Sequence, residues 1–115
     1  MRAIRGAIQI DHDTRDEIAT AVRQLCAAIV EANDLDAGRI VSALFTLTPD
    51  LHADFPARAA REFGWGSVPM MCAQEIDVPG ALPRVCRVML YVEGEATPRH
   101  VYLGGAKALR PDLGR

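Results

Sequence analysis

The sequence lacks the close-set ligand pairs from which metal sites are built. Its three histidines, His12, His52 and His100, show no HxH or HxxxH spacing, and its three cysteines, Cys26, Cys72 and Cys86, show no CxxC. These absences argue against a metal centre and against a disulfide framework. The cysteines are odd in number and lie in apolar segments, the pattern of free thiols in a reducing cytosol. Long apolar runs are missing as well: Val88 to Val92 falls far short of the roughly 20 residues a membrane-spanning helix needs. The arginine-bearing start "MRAIRGAIQI" has no apolar stretch of signal-peptide length. A soluble, cytoplasmic protein is expected, with no membrane partner. Positive charge is not in excess either. With 13 Lys and Arg against 15 Asp and Glu, the formal net charge is −2, so no global field exists to hold DNA or RNA. Any bound anion must be held by local arginines. No repeat, low-complexity tract or linker divides the chain.

What is present suits one domain over residues 1–115. Half of the 115 residues are hydrophobic, and a chain of this size buries roughly two thirds of its unfolded surface without staples. "AIRGAIQI" reads as a first strand, with Gly6 marking a bulge or a close backbone approach. Asp13 or Thr14 caps a helix, with Glu17 completing a possible capping box, and Ile18, Val22, Leu25 and Ile29 form its apolar stripe until near Asn33. "RIVSALFTLT" alternates as a second strand, Ile40, Ser42, Leu44 and Thr46 against Val41, Ala43, Phe45 and Leu47. Pro56 opens a second helix and Gly64 ends it. "SVPMMCAQ" is a short third strand, "VPGALPRV" a turn, and "VCRVMLYVE" a fourth strand. "HVYLGGAKAL" returns as a last extended segment with one helical turn. The mixture predicts an α+β fold, a small mixed sheet with helices on one face. Two helices cannot cover both faces, so self-association is expected.

"VCRVMLYV" poses a chemical question. The period of two places Arg87 on one face with Val85, Met89 and Tyr91, and a guanidinium there must reach water or meet an anion. Other arginines are interleaved with apolar residues: Arg5 in the first strand, Arg58 and Arg61 on the second helix, Arg110 in the tail. Cys72 and Glu75 lie at the third strand and Tyr102 in "HVYL". Arginine suits bidentate recognition of carboxylates, so such a pocket would hold a small dianion. Plainer readings stand beside this one. Arg58 and Arg61 fit a solvated helix face, Glu75 beside Asp77 a loop carboxylate, and Cys72 and Cys86 small core residues. An edge-strand position or a salt bridge to Glu75 would account for Arg87.

The segments "RAIRGA", "TPDLHADFPARAARE", "VPMMCAQEIDVPGALPRVCRVML", "RHVYL" and "LRPDL" resemble the monofunctional trimeric chorismate mutases of bacteria, the pseudo-α/β-barrel class. The resemblance runs from Arg2 to Leu113. It implies a Claisen rearrangement of chorismate to prephenate in aromatic amino-acid biosynthesis, without metal or cofactor. It also implies a homotrimer that packs three sheets into a barrel-like core, with an active site in each cleft between subunits.

Carried over by this resemblance, Arg87 would bond the ether oxygen and a carboxylate, Arg5 a carboxylate, and Glu75 the ring hydroxyl. Cys72 would lie near that hydroxyl as a weak partner and Tyr102 would contact a carboxylate. Phe55, Ala57 and Leu109 would supply apolar walls. Arg58 and Arg61 would line the mouth from the neighbouring chain, and the tail from Arg110 onward would act as a mobile cover. Met71 stands where a threonine-like residue is common, and Arg58 where a lysine is; the loop "GEATPR" and the tail are short. The alternative is a trimeric small-carboxylate binding or deaminase-like protein of similar architecture. Glu75 set near "VCRVM" favours the mutase, because a binder needs arginines but no opposing carboxylate.

Overall fold

The computed structural model describes residues 1–110. The chain runs through β1 (Arg2–Gln9), α1 (Arg15–Asn33), a 3₁₀ turn (Ala37–Arg39), β2 (Ile40–Leu47), α2 (Pro56–Ala60), β3 (Met70–Gln74), β4 (Val85–Val92), β5 (Val101–Leu103) and a closing 3₁₀ segment (Gly104–Leu109). The strands form one mixed sheet in the order β3-β2-β4-β1-β5. β4 runs antiparallel to both β1 and β2, while β3 lies parallel to β2 and β5 parallel to β1. Arg87 therefore sits on the central strand, which rules out an edge position.

Thr14 caps α1, its Oγ1 accepting from the Glu17 N–H at 3.1 Å. The reciprocal half of a capping box is absent, because the Glu17 carboxylate turns to His12 Nδ1 at 2.8 Å. Asp13 instead accepts the N–H groups of His52 and Ala53, tying the loop before α2 to the start of α1. The stripe Ile18, Val22, Leu25 and Ile29 is buried against Ile4, Ile8, Phe45, Val88 and Leu90 of the sheet. Full burial of such side chains stabilises by about 1.5–3 kcal/mol each. Gly6 lies in a regular register; its role is close approach, since a Cβ there would stand 2.9 Å from Ile29 Cδ1 and 3.1 Å from Leu25 Cδ1. The bulge falls in β2, between Ile40 and Ser42. It buries Ile40 and exposes Val41, reversing the alternation at that end.

Beyond Ala60 the helix loosens into a wide turn over Arg61–Trp65, and Gly64, at φ 132°, breaks it. A side chain at that φ would be strained. Trp65 is buried beside Phe45 and meets Phe63 edge-on, with ring centroids 5.9 Å apart. Both α-helices cover one face of the sheet. The opposite face is covered at one end only, where the 3₁₀ segment brings Ala106 and Leu109 onto Ala7, Val85 and Tyr102. This partial cover qualifies the expectation of helices on one face alone. The remainder of that face leaves Leu44, Met71 and Tyr91 exposed. No helix among the described residues is long and apolar enough to cross a membrane.

Candidate active site

Register places one row of residues across all five strands on the helix-free face: Ala73, Thr46, Arg87, Ala7 and Tyr102. Arg5 lies on the same face in the neighbouring row, paired with Met89. Glu75, just past β3, is anchored by its N–H, which donates to the Leu47 carbonyl at 2.9 Å. Its Oε1 accepts from Thr46 Oγ1 at 2.7 Å and lies 2.7 Å from Arg87 Nε. The Arg87 Nε–H is nevertheless not aligned with any acceptor, although Nε is buried. The ion pair is thus electrostatic contact without a well-formed hydrogen bond. The Arg87 side chain as a whole is 43% exposed, against 18% for Glu75.

The position of Arg87 is fixed from the start of β4. Thr48 is buried, accepts the Val85 N–H at 2.9 Å and donates to Asp50 Oδ1 at 2.6 Å. The Asp50 carboxylate accepts the Arg84 N–H, and Arg84 Nε donates to the Ile10 carbonyl at 2.8 Å. This web holds Arg84 at φ 52° and sets the strand's register two residues before Arg87.

Tyr102 is buried within the small cluster that Leu109 joins. His100, unremarked from sequence except for its lack of ligand spacing, accepts the Arg5 backbone N–H on Nδ1 at 3.0 Å. Burial, then the charges of Arg5 and Arg110, hold its pKa below the ordinary value.

The remaining candidates lie elsewhere in the chain. Cys72 pairs with Phe45 on the helix side of β3 and, with Phe55, Asp54, Pro56 and Leu51, lines a groove of about 400 Å³ at the sheet edge. Phe55 is 64% exposed and Met71 72% exposed, whereas Ala57 is buried. Arg58 donates from Nε to Asp54 Oδ1 at 3.0 Å, and Arg15 reaches the other carboxylate oxygen at 3.2 Å. Burial works to raise the Asp54 carboxyl, but the Phe55 N–H and the Arg58 guanidinium outweigh it and hold it below the usual range. Arg61 is exposed on the wide turn. Within one chain the candidates therefore divide. Arg87, Glu75, Arg5, Tyr102, Leu109 and Met71 belong to the helix-free side, and Cys72, Phe55, Ala57, Arg58 and Arg61 to the helix side. Of the tail, residues 111–115 lie outside the described residues, and with them most of the expected cover.

Burial pushes the Cys26 thiol up to about 12 and raises Cys86 as well, so both are inert core groups. No group of three or more His, Cys, Asp or Glu among the described residues is placed to hold a metal ion.

A family profile described as chorismate mutase type I matches residues 1–113. The chain belongs to the type I chorismate mutase family. It is 45% identical to the chorismate mutase AroH of Bacillus subtilis (strain 168), over 98% of this chain and 92% of that protein. It is likewise 45% identical to the chorismate mutase AroH of Thermus thermophilus, over 98% of this chain and 96% of that one. A solved chorismate mutase from Clostridium thermocellum superposes with a TM-score of 0.91 at 45% identity, covering 94% of this chain and 99% of the other. The fold expected from the family resemblance, a mixed sheet with helices, agrees with that superposition.

Proposed function

We propose that this type I chorismate mutase is an isomerase that converts chorismate to prephenate. The observation that carries this reading is the Arg87–Glu75 pair: a central-strand guanidinium whose buried Nε–H lacks an aligned acceptor, beside a carboxylate anchored from two sides. In the Claisen transition state the C–O bond lengthens ahead of C–C formation. Negative charge grows on the enolpyruvyl oxygen and positive charge on the ring. No proton moves and no covalent intermediate forms. The Arg87 fork at the ether oxygen binds that charge more strongly than it binds the substrate, which lowers the barrier. Glu75 accepts from the ring hydroxyl and its charge favours the positive ring. Arg5 and Tyr102 take the carboxylates.

The division of candidates between two sides of one chain supports a site shared by neighbours. Arg87, Glu75, Arg5 and Tyr102 come from one subunit and Cys72, Phe55, Ala57, Arg58 and Arg61 from the next, in a homotrimer that buries the exposed helix-free face. Inert, unpaired thiols suit a cytoplasmic enzyme. Mixing the pure protein with chorismate and following loss of its ultraviolet absorbance tests the activity. Steady consumption with prephenate as product is expected, and an unchanged spectrum would overturn the reading.

A further inference from the structure

Thr46 stands beside Arg87 in the sheet, and its hydroxyl converges with the guanidinium on a single oxygen, Glu75 Oε1. The two contacts differ in kind. The threonine contributes a neutral O–H donor at 2.7 Å, while Arg87 contributes charge through an Nε–H that is not aligned. We infer that Thr46 is a positioning residue, which holds the Glu75 carboxylate in place while the Arg87 guanidinium engages the substrate. This rests on the proposed chorismate mutase activity.

A carboxylate held only by Arg87 would follow that guanidinium or rotate into solvent once the ligand claimed it. Glu75 cannot move far at its backbone, because its N–H is bonded to Leu47. Its side chain needs a second anchor that does not itself interact with the substrate. A β-branched residue on a paired strand is such an anchor, since its χ1 is stiff and its Cα is fixed by the ladder. With Thr46 bonded, Glu75 is preorganised for the ring at no cost during reaction.

The test compares Thr46→Val, which keeps the shape and removes the donor, with Thr46→Ser, which keeps the donor. A hydrogen bond to a charged group supports a loss of about 10-fold or more in kcat for Thr46→Val, with KM changed far less. Thr46→Ser should recover most of that loss. In a Glu75→Ala background, Thr46→Val should add nothing, because the hydroxyl then has no carboxylate to hold. Loss that persists in that background, or a serine no better than the valine, would make Thr46 a packing residue and overturn the inference. A readout free of substrate is the carboxyl carbon resonance of ¹³C-labelled Glu75, identified by its absence in Glu75→Ala. It should be single in the parent and Thr46→Ser and broadened or split in Thr46→Val. An unchanged resonance in Thr46→Val overturns the positioning role even if the parent proves inactive on chorismate. A parent without activity but with the expected resonance change overturns the proposed reaction alone.

Discussion

At the scale of the residue, Arg87 holds full charge in a position where its partner is incomplete. Losing one preorganised donor at a developing oxyanion costs about 10²- to 10³-fold in turnover. Lysine keeps the charge but lacks the planar fork, so Arg87→Lys should fall well below the parent. Citrulline at position 87, placed by semisynthesis, keeps shape and several donors without charge. It should lower kcat by orders of magnitude while substrate binding weakens far less. A kcat within a few-fold of the parent would reduce Arg87 to a positioning group. Glu75 separates charge from hydrogen bonding in the same way: Glu75→Gln keeps an acceptor and should retain part of the activity, and Glu75→Ala should lose more. Equal and complete loss in both, measured as kcat, would point to proton transfer. That Arg87 must reach water or meet an anion was legible from "VCRVMLYV", because the period of two alone sets its face. The Glu75 contact was one of the open alternatives, and the ion pair at 2.7 Å makes it part of the resting state.

Elements were legible where one pattern decides them. The α1 stripe and the β4 alternation follow directly from spacing: the stripe is buried, and along β4 Cys86, Val88, Leu90 and Val92 are buried while Arg87 and Met89 are half-buried and Tyr91 exposed. What spacing cannot give is parity between strands. Cys72 looked like a companion of Glu75, three residues on, but pairing with Phe45 turns it to the helix side. The odd spacing already sets Cys72 and Glu75 on opposite faces of an extended chain, but which face meets the helices is decided by the β2–β3 register, and register lies in contacts distant in sequence. Thr46 was visible as the polar member of an alternating strand, yet nothing local tied it to Glu75.

His100 shows a similar long-range dependence. Just before β5 begins, its Nδ1 takes the place of a strand carbonyl for the Arg5 N–H. The ring must be neutral at Nδ1 to accept. Its folded-state pKa lies below its ordinary 6.5 through burial and the nearby Arg5 and Arg110, so below 6.5 the unfolded chain binds more protons. Stability therefore rises with pH through the window between the lowered value and 6.5, is complete above it, and is lost as pH falls. Denaturant titrations across that window should show the slope. His100→Asn, whose Oδ1 accepts without titrating, should flatten it, and a slope unchanged by that substitution would place the titration on another group.

For the whole molecule, the two groups of candidate residues impose a geometry. One chain presents two different patches, the helix-free face around Arg87 and the groove edged by Phe55 and Cys72. Patches that differ join head to tail, and such contacts close into a ring when the rotation between neighbours permits and run on into a filament when it does not. Sedimentation equilibrium should give about three times the 12.5 kDa of one chain. Mass alone does not reveal whose residues meet, but mixing does. Arg87→Ala removes the charge of one half, and Phe55→Asp, at an exposed position, sets a carboxylate against an anionic substrate in the other half. Each variant alone should be nearly inactive. Refolded together in equal amounts, an interface is intact only when the half with Arg87 comes from the Phe55→Asp chain and the other half from the Arg87→Ala chain. Random assortment makes that about one interface in four, so the mixture should recover about a quarter of the parent activity. If each site were built within one chain, every site would carry one lesion and nothing would be recovered. Absence of recovery in a mixture shown by mass spectrometry to contain hybrid trimers would therefore reject the shared site.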